Sequence, residues 1–108
     1  MKLRLPQLVV ILGLVLPGVA TAQTSPGEQR GMTFVRANCG SCHATDKVSA
    51  STLKIAPPFR DLHLRYPIEN LRKALVEGVV TGHPTMPEFR LDTDQASDVI
   101  AYLKTLGR

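Results

Sequence analysis

The stretch that most constrains this chain is Cys39-Gly40-Ser41-Cys42-His43, a Cys-x-x-Cys-His run. Such a run is the attachment site of a c-type haem (heme c): two thiols add across the porphyrin vinyl groups, and the adjacent imidazole reaches the iron. The spacing has a geometric reason. Cys39 to Cys42 is close to one helical turn, which brings both sulfurs to one side, and His43 follows immediately to take an axial position. Other uses of these residues fit less well. A redox dithiol is expected beside a strand in a βαβ pattern, and the flanking sequence offers neither. A zinc site lacks a third cysteine, and His63 and His83 do not have the paired spacing of common zinc modules. A disulfide closing so short a loop would remove little unfolded-chain entropy. The run therefore predicts one covalent haem on Cys39 and Cys42, with His43 as an iron ligand.

A chain of 108 residues holds at most one small domain, and its beginning reads as separate from that domain. Met1 to Arg4 is a short basic start, Leu8 to Leu16 is apolar, and Ala20-Thr21-Ala22 has the small-x-small form of a signal-peptidase site. Residues 1–22 are expected to be a signal peptide that is removed, leaving 23–108 as the working domain. The alternative is an uncleaved membrane anchor, because no charge occurs between Arg4 and Glu28. Pro17 and Gly18 interrupt the apolar run where a cleavage region should begin, which favours removal. Without the leader, eleven Lys or Arg face nine Asp or Glu, a balance of +2. Two haem carboxylates bring the holoprotein near neutral, which gives a nucleic-acid partner little support. No tryptophan, three phenylalanines and two tyrosines make a thin core for this length. A buried porphyrin would supply the missing apolar surface, so the apoprotein is expected to be largely unfolded or molten.

Gln23 to Gly27 reads as a mobile polar lead. A short helix is predicted from Glu28 to Asn38, with Gly31, Phe34 and Val35 inward and Arg30 and Arg36 toward solvent. Gly31 costs a helix roughly 1 kcal/mol relative to Ala, and a glycine accepted there suggests close approach of another helix. Ala44 to Ala56 has no sustained period and reads as a loop over one haem edge. Ala56-Pro57-Pro58-Phe59 sets an extended turn. A carbonyl in so rigid a segment is a good acceptor for the Nδ1 proton of His43, although prolines there also serve as plain turn punctuation. Phe59 to Tyr66 holds a single helical turn. Pro67 opens a helix to about Gly78, with Ile68, Leu71, Leu75 and Val76 on one stripe and Glu69, Arg72, Lys73 and Glu77 outside. Val79 to Leu91 is a loop. Three side chains could supply a sixth iron ligand: Met32, His83 and Met86. Met32 lies only seven residues before Cys39, too near to return to the far haem face, whereas Met86 has forty-three residues of chain from His43 in which to wrap the porphyrin. His83 is nearly as far along and competes with it. Asp92 and Gln95 form a capping box for a last helix, with Ala96, Val99, Ile100, Leu103 and Leu106 at helical spacing, Tyr102 on their flank and Gly107 as the stop.

These residues together resemble the class I cytochrome c family, as found in small soluble bacterial mono-haem members. Gly31 to His43 is similar to that family's first helix running into its haem motif, and Ala56-Pro57-Pro58-Phe59 to its proline turn. Thr85-Met86-Pro87 is similar to its distal methionine loop, and Asp98 to Leu103 to its final helix. The resemblance implies an all-α fold, the cytochrome c fold, with three main helices plus short turns wrapped around a covalently attached haem. It implies a helix crossing near Gly31 and Tyr102, His43 and Met86 as axial ligands, Phe59 in the proline turn, and the Pro57 carbonyl as acceptor for His43. Ala-Pro-Pro stands where many members have Gly-Pro, which leaves Pro57 and Pro58 both open as that acceptor. A thioether opposite an imidazole favours ferrous iron and a fairly high reduction potential.

The function this implies is a periplasmic electron carrier, not an enzyme in itself. It would shuttle single electrons between redox protein partners such as a dehydrogenase, a cytochrome bc1-type complex or a terminal oxidase. Haem attachment outside the bacterial inner membrane agrees with the exported leader. The alternatives are a haem-bearing electron-accepting subunit of a dehydrogenase, and a haem sensor or enzyme with an open distal site.

Overall fold

The computed structural model describes residues 1–21, 23–78 and 85–107. Residues 1–21 are exposed and carry no regular secondary structure. Their projection from the remainder accounts for a radius of gyration of 25.1 Å, against roughly 13 Å for a compact chain of this length. No helix among the described residues is long and apolar enough to cross a membrane.

Helix α1 spans Pro26–Cys39, two residues earlier and one later than the apolar pattern predicts. The earlier start comes from a capping box: Ser25 Oγ accepts from the Glu28 N–H at 3.2 Å, and the Glu28 carboxylate accepts from the Ser25 N–H at 3.2 Å. Pro26 begins the helix behind this cap, where its missing N–H costs nothing. A 3-10 turn covers Phe59–Leu64. Ile68–Asn70 is a second 3-10 turn, continuing directly into α2, Leu71–Glu77. The predicted helix from Pro67 is therefore tightened at its start. Pro67 is extended at ψ 131° and acts as the cap, and the Asn70 N–H donates back three residues to its carbonyl at 3.0 Å. Gly78 ends α2 at φ 109°, a conformation that favours glycine. Helix α3 spans Thr93–Leu106, and the Asp92–Gln95 capping box is formed at its start. Among the described residues the secondary structure is entirely helical.

The longest packed interface is α1 against α3. It is close because Gly31 is bare: a Cβ built there would overlap the Asp98 carbonyl oxygen and stand 3.0 Å from Tyr102 Cβ. Beside the crossing, Arg30 grips Asp98 with two hydrogen bonds of 2.7 and 2.9 Å. That guanidinium holds the Asp98 carboxyl below the usual carboxylate range. Val35, Ala96 and Ile100 are the most deeply buried side chains, joined by Leu62, Ile68 and Leu91 from the connecting segments. Glu69 bonds both Arg72 and Lys104, and Arg72 also donates to Ser97 Oγ at 2.7 Å. These contacts tie the short helical segments to α3. Part of this core also walls an opening.

Candidate functional site

That opening is a cavity of about 780 Å³, within the roughly 300–1,000 Å³ of small-molecule and cofactor sites. Both cysteines, His43, Pro57, Phe59 and Met86 line it. Helix α1 ends at Cys39, and the chain then closes one further turn: the Cys42 and His43 N–H groups both donate to the Cys39 carbonyl, at 3.3 and 3.0 Å. The helix end thereby delivers two sulfurs and an imidazole to one wall. Both cysteines are free and half-buried. Burial pushes the Cys39 thiol up to about 11, the reverse of the depressed value that a reactive redox dithiol needs. No cluster of His, Cys, Asp and Glu able to hold a metal ion occurs among the described residues, and His63, in the Phe59–Leu64 turn, is exposed and not part of the cavity lining.

The imidazole is fixed from two directions. His43 Nδ1–H donates to the Pro57 carbonyl at 2.8 Å. A carbonyl can only accept, so the proton sits on Nδ1 and the Nε2 lone pair is left for a metal. The Phe59 ring lies 4.6 Å from the imidazole, tilted by 36°, a contact worth about 0.5–1.5 kcal/mol. Phe59 N–H in turn donates to the Ala44 carbonyl at 2.9 Å, so the proline turn and the residue after the histidine hold each other. Of the two prolines it is Pro57 whose carbonyl meets His43, while Pro58 caps the Phe59–Leu64 turn.

Met86 is half-buried and lines the same cavity between Thr85 and Pro87. Met32 packs against the helical core and is not part of the cavity lining. His83 lies outside the described residues. Gly31 and Tyr102 sit at the helix crossing rather than at the cavity, and Tyr102 adds a second connection by donating to the Thr45 carbonyl at 2.5 Å. This anchors the loop after the Cys-x-x-Cys-His run onto α3. The loop itself is held by Asp46, which accepts from Val48 N–H, Ser49 N–H and the Ser49 hydroxyl at 2.8, 2.6 and 2.6 Å.

Sequence reading missed two groups at this site. Leu91 lies outside the helices, as expected of a loop residue, yet it is buried and its N–H donates to the Leu75 carbonyl at 2.8 Å; an apolar residue just before a capping aspartate is the signal for that burial. Arg65, Tyr66 and Asn70 also line the cavity, and no local pattern announces them. The cavity fits the group predicted from the sequence: it is mainly apolar, its sulfurs sit on a helix end, and a histidine with a committed tautomer faces into it.

A family model described as cytochrome c matches residues 28–107. No curated protein and no solved structure gives a match.

Proposed function

Because the chain belongs to the cytochrome c family and so carries covalently bound haem c, we propose that it is a periplasmic mono-haem carrier of single electrons. In this reading Cys39 and Cys42 hold the haem as thioethers, and His43 and Met86 are the axial ligands. The observation that carries it is the 2.8 Å bond from His43 Nδ1–H to the Pro57 carbonyl. It leaves Nε2 free in a cavity that the Met86 thioether also reaches. The haem, when bound, supplies an iron that alternates between ferric and ferrous. The protein does the remainder. Pro57 keeps the imidazole proton on Nδ1 in both states, and the short Thr85-Met86-Pro87 segment presents a soft sulfur donor that favours the ferrous form. Phe59, Leu71 and Leu75 on the cavity wall would exclude water from the ring, so that little solvent rearranges when one electron enters or leaves. With His43 and Met86 both engaged, the iron would offer no position to a substrate.

Export of the chain is supported by the basic Met1-Lys2-Leu3-Arg4 start, the apolar Leu8 to Leu16 run and Ala20-Thr21-Ala22. The mass of the native protein tests it: a chain beginning at Gln23 is expected, and a retained Met1 contradicts it. The carrier role is tested by potentiometric titration of the matured protein. A single reversible one-electron step at a fairly positive potential, with ferrous protein inert to carbon monoxide, is expected. Rapid carbon monoxide binding would instead make it a sensor or enzyme with an open distal site. Co-purification with a dehydrogenase in fixed ratio would make it that enzyme's electron-accepting subunit.

A further inference from the structure

We infer that the Tyr102 hydroxyl is a positioning group for the iron ligand: by holding the Thr45 carbonyl it keeps the backbone after His43 against the proline turn, and so keeps the imidazole aimed. This rests on the proposed function, in which His43 ligates the haem iron. The ring and the hydroxyl of Tyr102 have separate tasks. The ring packs at the α1–α3 crossing, where its Cβ faces bare Gly31, and a phenylalanine would fill that place equally. The hydroxyl instead reaches across 57 residues of sequence to the Thr45 carbonyl, at 2.5 Å. A buried phenol needs an acceptor, but one on a distant loop, just beyond an iron ligand, does more than satisfy it. Burial also raises the phenol above its ordinary value, so the donor proton is kept throughout the neutral range.

The backbone on either side of His43 is held closely. Ala44 N–H donates to Ser51 Oγ at 2.9 Å, and the Ala44 carbonyl accepts from Phe59 N–H at 2.9 Å. The Cys42 carbonyl accepts from Leu53 N–H at 3.0 Å. Ser51 and Leu53 belong to the loop itself and Phe59 to the short turn after it, whereas Tyr102 belongs to the buried core. Tyr102 is therefore the partner that ties this segment to α3. Slack in Ala44 and Thr45 would reach the imidazole directly. The Phe59 ring that steadies it and the Pro57 carbonyl that takes its proton are carried by the same turn that bonds Ala44.

The test is proton exchange followed by NMR in the ferrous, diamagnetic holoprotein of wild type, Y102F and S25A. In Y102F the His43 Nδ1–H and the Phe59 N–H are expected to exchange roughly three- to tenfold faster, the scale of one hydrogen bond. S25A is the control: losing the α1 cap lowers stability without touching this segment, and both rates are expected to stay at their wild-type values. Wild-type rates at His43 and Phe59 in Y102F overturn the inference. So does an equal acceleration in S25A, which would mean that these protons report general unfolding and not aim. If Y102F does not mature, the wild type decides. Its Tyr102 hydroxyl proton is expected as a separate, slowly exchanging resonance beside Thr45, and a phenol proton exchanging as fast as a solvated one overturns the inference. Failure of the proposed His43–Met86 ligation would show separately, in the ferric spectrum of the wild type.

Discussion

In the proposed iron site His43, Pro57 and Met86 divide the work among residues far apart in sequence, and each can be tested alone. Replacing Met86 by Ala removes the sulfur donor. The variant is expected to have a lower potential and to bind carbon monoxide in the ferrous state; an unchanged potential would remove Met86 from the site. Asp46 belongs to the same scale. Three hydrogen bonds from Val48 and Ser49 hold its carboxyl down to about 2 from an ordinary 3.8. Because the folded value is depressed, the stability it contributes is full above 3.8 and fades as the pH falls toward 2. Asp46→Asn should therefore be less stable than wild type near neutrality, and the gap should close as pH falls through that window. Denaturation curves across pH would show it, and a gap independent of pH would contradict it. At this scale the sequence was informative where chemistry is local. Cys39, Cys42 and His43 are legible because attachment itself demands their spacing. Arg65 was not legible, because only the folded chain brings it to the cavity wall.

At the scale of elements, the ends of helices were read less well than their middles. Ser25-x-x-Glu28 is a capping signature, but the Pro and Gly around it suggest a loose lead, and the bonds that decide between these form only in the helix. Ser25→Ala should cost about 1 kcal/mol, seen as a lowered denaturant midpoint with an unchanged slope. The α1–α3 crossing was anticipated from Gly31, and the structure gives the reason in the Asp98 carbonyl oxygen that occupies the place of a Cβ. Gly31→Ala must push the helices apart and should destabilise the holoprotein by about 1–3 kcal/mol. A loss of only a few tenths would mean the helices are not in contact there. Pro at the first helical position is common and points to an α-helix from Pro67, whereas the extended Pro67 leads into a 3-10 turn instead.

For the whole molecule, the core and the cavity are two faces of one packing problem. The buried cluster lies between α1, α3 and their connections, while Leu71, Leu75 and Phe59 face an opening of about 780 Å³. A mainly apolar opening of this size leaves its lining side chains without packing partners, in a domain whose stability is only roughly 5–15 kcal/mol. Without haem it must flood or collapse. Protein made without the attachment machinery should therefore show reduced helicity and no cooperative thermal transition by calorimetry, and a sharp transition would contradict this. The thin aromatic content made that dependence legible from composition, whereas the shape of the cavity required the fold. The central claim, that His43 and Met86 grip one haem from this cavity, is tested most directly by the absorption spectrum of the ferric holoprotein. Low-spin bands with a weak sulfur-to-iron absorption at the red edge are predicted; a high-spin spectrum without that absorption would contradict the account.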